Sequence, residues 1–228
     1  IFFKYNDILS STIENTIDNF YMDLNCLIHP CSKDKNTDEE VIKNVIETMN
    51  IIINNINPKK KLFIAIDGVC PMAKIITQRK RRLKSIINNE DIKQIYEKHN
   101  KIQGSWDSIN ISPGTEFMKN LSNSITIYLD KIKNIKVIFN DSEHYEEGEQ
   151  KIIKDIRKNE LKEINCIYGL DSDLIILSLK EERKIYLYRE KIEFISYYNV
   201  DYENFVFLNV DKLKEYLYID LDEKKEFI

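Results

Sequence analysis

Residues 61–82 read KLFIAIDGVCPMAKIITQRKRR, and this stretch decides the fold. Residues 61–66, KLFIAI, are an apolar run of strand length. The run stops at Asp67-Gly68, and Pro71 then opens a basic helical stretch, a position where proline's missing N–H costs nothing. Strand, acidic turn and helix in that order make one unit of an α/β domain. The same alternation on both sides predicts a mostly parallel central sheet flanked by helices.

Upstream, residues 19–25, NFYMDLN, read as the first strand, and Thr37 or Asp38 caps a helix over about 38–56. Downstream, the basic helix runs to about residue 99 with a break expected near 88–91, followed by a polar loop holding Gly104 and Trp106. Ser112-Pro113-Gly114-Thr115-Glu116 starts a helix reaching about 132. Strands follow at 136–139 and 164–168, with helices over about 147–159 and 172–180. Two further strands, near 184–188 and 204–208, precede a last helix at about 210–217. With no repeat, linker or low-complexity tail, residues 1–228 read as one domain.

Rare residues show where chemistry sits. The chain holds five glycines, where a frequency of roughly 7% would give about sixteen. Its two alanines, Ala65 and Ala73, and three of its six arginines, Arg79, Arg81 and Arg82, lie within the opening stretch or at its end. Gly68 reads as a tight turn at the end of its strand, and Gly148 and Gly169 fall in two further acidic segments.

A net charge of −4 argues against a generic nucleic-acid coating surface but leaves room for a local basic pocket. The four cysteines, at 26, 31, 70 and 166, have no CxxC spacing. They read as reduced thiols of an intracellular protein, with Cys26 and Cys166 in strand-like runs, and no tetrahedral zinc set is available. The apolar runs at 61–66 and 174–179 are too short to cross a bilayer, so no membrane partner is expected. The first residue is Ile1 rather than methionine, so the expectation is that the natural N-terminus lies upstream.

Aspartates stand where strands end: Asp23, Asp67, and Asp171 with Asp173. In a parallel sheet these ends share one edge, the edge where ligands bind. Glu147 and Glu149 flank Gly148 in the loop after the strand at 136–139 and join them; Glu143 and Glu146 are either part of the same set or ordinary acids near a helix N-terminus. Packed carboxylates repel unless a cation lies among them, and an oxygen-only set suits Mg²⁺ or Mn²⁺, with two such ions expected to activate a water and stabilise the leaving oxygen of a phosphodiester. Beside them, Lys74, Gln78, Arg81 and Arg82 recur at i, i+4, i+7 and i+8, one polar stripe suited to phosphate. His29 lies just past Asp23 and is either a capping or packing histidine or a contact for a base or ribose, while Trp106 is either a stacking ring or a packing anchor.

The segments DNFYMDLNCLIHPC, AIDGVCPMAKIITQRKRR, SPGTEFM, EEGEQKI and GLDSDLIIL, in this order, resemble the catalytic core of the Xrn family of 5′-to-3′ exoribonucleases, within the PIN/flap-endonuclease-like nucleases. The likeness runs from residue 2 to about 218. It implies Mg²⁺-dependent, processive hydrolysis of single-stranded RNA bearing a 5′-monophosphate, releasing nucleoside 5′-monophosphates. By motif position it implies that Asp23, Asp67, Glu147, Glu149, Asp171 and Asp173 hold metal. Lys74, Gln78, Arg81 and Arg82 would form the 5′-phosphate pocket, and His29 would stack on the first base. The helix over 83–99 would project like a tower at the entrance.

There are departures. Cys26 replaces a usual glycine, the HYEEGEQ loop is bulkier and more acidic, and a final Gly-Asn-Asp motif is not reached by Ile228. The resemblance therefore implies an N-terminal portion, inactive or weak alone and completed by a C-terminal part, and a cytoplasmic rather than nuclear location. Two other classes stay open: a structure-specific 5′-flap-type DNA nuclease, and a non-catalytic module that binds RNA 5′ ends.

Overall fold

The computed structural model describes residues 6–98, 106–190 and 205–225. Five parallel strands make the centre: β2 (Asn19–Asp23), β3 (Lys61–Ala65), β4 (Lys136–Asn140), β5 (Ile164–Tyr168) and β6 (Lys184–Glu190). Two antiparallel additions, β7 (Phe205–Asn209) and the short β1 (Leu9–Ser10), complete the order β1-β7-β6-β5-β2-β3-β4. The α/β class with a mostly parallel sheet is as read from the sequence.

The helices are α1 (Asn25–Cys31), α2 (Asp38–Ile56), α3 (Met72–Lys98), α4 (Glu116–Leu129), α5 (Gly148–Ile156), α6 (Ser172–Leu179) and α7 (Val210–Lys225). Period-2 alternation sorts the strands between two cores. Phe20 and Met22 face a cluster filled by Val45, Met49, Leu121 and Ile125 from α2 and α4, whereas Tyr21 and Phe63 face Ile152, Ile156 and Leu213. Helices thus cover both faces, as a parallel sheet requires.

Local signals account for the boundaries. Thr37 caps α2 by accepting from the Glu40 N–H at 3.2 Å, and Glu40 reaches back to the Asn36 N–H at 2.8 Å. Thr115 caps α4 in the same way through Met118. Trp106 proves to be a packing anchor: its indole N–H donates to Asp38 Oδ1 at 2.7 Å and its ring meets Phe117 edge-on.

Three expectations are corrected. The first strand ends at Asp23, not 25, and the chain turns at once into the short helix α1, which carries Cys26 and His29. Pro30 hides that helix from a pattern reading, although in its last turn the ring breaks little. The break expected near 88–91 is absent, and α3 is continuous from Met72 to Lys98. Gly68 does not adopt positive φ as a tight turn would demand. It is needed for close approach instead, since a Cβ there would lie 1.8 Å from the His144 carbonyl oxygen. The part of the expected loop that holds Gly104, and His99 before it, lie outside the described residues.

The chain leaves β2 toward β3 and β4 on one side, and leaves β5 toward β6 on the other. The sheet therefore reverses direction between β2 and β5. In open α/β sheets, ligands bind in the crevice at such a switch point, beyond the strands' C-terminal ends.

Candidate active site

The acids gather at that crevice. Asp23 closes β2, Asp67 follows β3 by two residues, Glu147 and Glu149 start α5, and Asp171 caps α6 with Asp173 in its first turn. Glu149, Asp171 and Asp173 each offer an oxygen within 4.8 Å of the others, a group able to hold a metal ion. Asp23, Asp67 and Glu147 stand behind and beside it rather than in that tight group.

Hydrogen bonds fix the rear pair. The Gly148 N–H donates to Asp67 Oδ1 at 2.7 Å, and the Asp67 N–H donates to Asn25 Oδ1 at 3.0 Å. The Cys26 thiol donates to Asp23 Oδ2 at 3.5 Å and accepts from the Leu170 N–H at 3.4 Å. Cys26 so links the end of β2 to the loop that carries Asp171. Asp23 is 6% exposed, and its Oδ1 is buried with no hydrogen-bond partner. A buried carboxylate oxygen with nothing to accept is costly unless a cation reaches it.

The electrostatics agree. Burial pushes the Asp23 carboxyl up to about 7, with the neighbouring charges of Asp67 and Glu149 adding and the Cys26 thiol opposing. Burial likewise pushes Glu149 up to about 7, with Glu147, Asp171 and Asp173 adding and Lys74 opposing. Asp67 is raised by burial, partly offset by the Gly148 N–H. A carboxylate cluster that holds protons near neutrality is one whose negative charge is not matched by the surrounding protein. The donor set is all oxygen, which fits a hard divalent cation.

Two cations stand close by. Lys74, at the start of α3, pairs with Glu147 at 2.6 Å, so one residue of the basic stripe touches one of the acids. Gln78 is half-buried and Arg81 exposed on the same helix; the Arg82 side chain lies outside what is described. His29 is exposed on α1 and near enough to Asp67 for their charges to interact.

Lys151 is the residue a sequence reading misses. It is 5% exposed, and its ammonium donates to the Ile66 carbonyl at 2.6 Å and the Asp141 carbonyl at 2.9 Å. It ties together the chain ends leaving β3 and β4, near enough to Asp67 for their charges to interact. The available signal was its position on α5 between Gly148 and the apolar Ile152, on the inward face of a helix otherwise read for its acids.

Among proteins of known activity, 5′-3′ exoribonuclease 1 of Saccharomyces cerevisiae is 34% identical over 234 residues, covering 90% of this chain and 15% of that protein. The yeast 5′-3′ exoribonuclease 2 is 31% identical over 270 residues, covering 94% and 27%, and the human 5′-3′ exoribonuclease 1 is 34% identical over 201 residues, covering 78% and 12%. The chain thus spans roughly a quarter or less of the length of these relatives. Among solved structures, the catalytic core of Rad2 in complex with DNA substrate overlaps it with a TM-score of 0.47 at 15% identity, covering 92% of this chain and 54% of that one. Residues 2–191 match the family described as XRN 5′-3′ exonuclease N-terminus, and the chain belongs to that family.

Proposed function

We propose that the chain carries the metal site and 5′-phosphate pocket of a processive 5′-to-3′ exoribonuclease, acting on single-stranded RNA with a 5′-monophosphate. The observation that carries this reading is the convergence of six acids at the switch point, with Lys74 of the basic helix already in contact with one of them. Family membership and the names of the relatives support the direction of attack and the RNA substrate.

In this reading Glu149, Asp171 and Asp173 hold one Mg²⁺ or Mn²⁺, and Asp23, Asp67 and Glu147 contribute to a second. The fit rests on the orphaned Asp23 oxygen and the all-carboxylate donor set. Bound divalent ions supply a nucleophilic water and stabilise the leaving oxygen of a phosphodiester. The chain's own residues do the rest. Lys74, Gln78, Arg81 and Arg82 hold the terminal phosphate, and a pocket that closes on a monophosphate excludes capped or triphosphorylated ends by size. His29 meets the first base. Asn25, Cys26 and Lys151 hold the acid-bearing loops in place.

Turnover by these 228 residues alone is expected to be slow, because the relatives devote several times this length to the whole enzyme. Four free thiols fit a reducing, intracellular setting, and no helix among the described residues is long and apolar enough to cross a membrane. The test compares Mg²⁺-dependent binding and cleavage of 5′-monophosphate RNA, 5′-hydroxyl RNA and a 5′-flap DNA. Preference for the first supports the reading. Preference for the flap would make the chain a DNA nuclease, and RNA-end binding without any metal dependence would make it a non-catalytic module.

A further inference from the structure

The loop of residues 141–147 between β4 and α5 is held at many points. His144 Nδ1 lies 2.8 Å from Asp141 Oδ1, and the Glu143 N–H donates to the same oxygen at 3.1 Å. The Gly68 N–H donates to the Glu146 carbonyl at 2.9 Å, and Lys154 pairs with the Glu146 carboxylate. Glu146 has a φ of 83°, a conformation costly for a non-glycine residue and kept only where its surroundings impose it. A Cβ added at Gly68 would lie 3.1 Å from the Tyr145 Cα, so the backbone at 145 is pressed against the turn that follows Asp67.

The Tyr145 side chain shares none of this confinement and is 75% exposed. A rigid backbone that holds an aromatic ring in water, two residues from Glu147, calls for a partner. The surface beside the Asp67-Gly68 turn is apolar as well: Val69 is 64% exposed and Met72 82%. Apolar side chains in water beside a carboxylate cluster match the two parts of a nucleotide. Its phosphate goes with the metal site, and its base, which has an apolar face whatever its identity, needs a flat apolar surface within one nucleotide's reach.

We propose that Tyr145 is a stacking platform for a nucleobase of the RNA strand, with Val69 and Met72 extending its apolar edge. The proposal rests on the RNA-processing reading above and adds a base contact to it. Because Tyr145 lies in the HYEEGEQ loop, where this chain departs from the family pattern, the platform is a property of this chain's own loop.

The experiment measures binding of the 228-residue chain, with Ca²⁺ replacing Mg²⁺ to slow hydrolysis, to two 5′-phosphorylated decamers. One is oligouridylate; the other keeps its first base, the one assigned to His29, and carries abasic ribose at its second to fourth positions. Wild type should prefer the base-bearing decamer by about tenfold, the scale of one stacked base. Tyr145→Phe should keep that preference and Tyr145→Ala should lose it, with both variants binding the abasic decamer as wild type does. Undiminished preference in Tyr145→Ala overturns the proposal. So does a change in the sedimentation of Tyr145→Ala with its RNA preference intact, which would assign the patch to a second copy of the chain. The RNA reading is reported separately by the dependence of both decamers on the 5′-phosphate, lost in Arg81→Ala. If wild type binds neither decamer, that reading fails and the platform falls with it.

Discussion

Lys74 Nζ lies 2.6 Å from Glu147 Oε2, an ion pair that joins the basic helix to the acidic loop. Each partner has a second use in the proposed reaction, the lysine for phosphate and the glutamate for metal. The pair is a mutual placeholder that ligands from either side would separate. Its lysine is about half exposed, so the bond itself adds little to stability.

Opposite signs should therefore follow from the two halves of the pair. Lys74→Met should weaken binding of 5′-phosphorylated RNA roughly 3- to 10-fold through loss of a charge-assisted contact. Glu147→Gln should free the lysine, raising affinity for the 5′-phosphate while lowering affinity for Mn²⁺. Calorimetric titrations with RNA and with Mn²⁺ measure both. Parallel loss of both affinities in both variants would count against separate roles.

The raised carboxyls make a pH prediction with a definite sign. Asp23 and Glu149 sit near 7 in the fold, above the usual carboxylate range, so without metal the folded chain binds more protons than the unfolded chain. Their contribution to stability is full below about pH 4 and is lost as pH rises through about 7. Divalent metal needs the ionised forms, so its stabilising effect runs the other way. Mg²⁺ should raise the melting temperature clearly at pH 8 and hardly at pH 5.5. Equal shifts at both pH values would mean the ion binds elsewhere.

The acids were legible in the sequence because strand ends are easy to find, and a parallel sheet puts those ends on one edge. Asp23, Asp67, Asp171 and Asp173 needed only that geometry. The ranking among them was not legible. Which oxygens fall within 4.8 Å depends on the α6 cap, where Asp171 accepts from the Asp173 N–H at 3.2 Å and draws the two together. Helix α1 was missed because seven residues containing a proline carry no period to read. Lys151 was missed because lysine fills this chain's surface, and nothing in composition marks a lysine that turns inward. The α3 break was expected where polar residues dilute the pattern, yet Asn, Glu and Lys continue a helix without difficulty.

Asp171 has two tasks, and one substitution can separate them. As N-cap of α6 it accepts the Asp173 N–H, and as a member of the tight group it offers an oxygen to metal. Serine caps nearly as well but carries no charge. Asp171→Ser should keep thermal stability within about 0.5 kcal/mol and weaken Mn²⁺ binding at least tenfold. Asp171→Ala should add the loss of the cap, about 1 kcal/mol. Denaturant unfolding combined with metal titration distinguishes the two, and a Ser variant with native metal affinity would remove Asp171 from the site.

Lys151 should matter for stability first. Lys151→Met would leave the Ile66 and Asp141 carbonyls without their donor in a buried place. Part of that cost is offset because a buried ammonium no longer has to be desolvated, as its lowered pKa indicates. The net expectation is a destabilisation of about 1–3 kcal/mol in urea. No change in the midpoint would show that the lysine is a passenger of α5.

Gly148→Ala should separate fold from site in the reverse direction. Gly148 is the first residue of α5, where alanine favours the helix by up to about 1 kcal/mol. The new methyl, however, would lie 3.0 Å from Asp23 Oδ1 and 3.4 Å from Asp67 Oδ1, tighter than ordinary contact for the first. It would wedge against the two acids and crowd the space through which a cation could reach an oxygen that already lacks a partner. The chain should therefore melt at the same or a higher temperature without metal and lose Mn²⁺ affinity by about tenfold or more, each tenfold being 1.4 kcal/mol. A variant that binds Mn²⁺ as wild type does would show that Asp23 and Asp67 take no part in holding the ion.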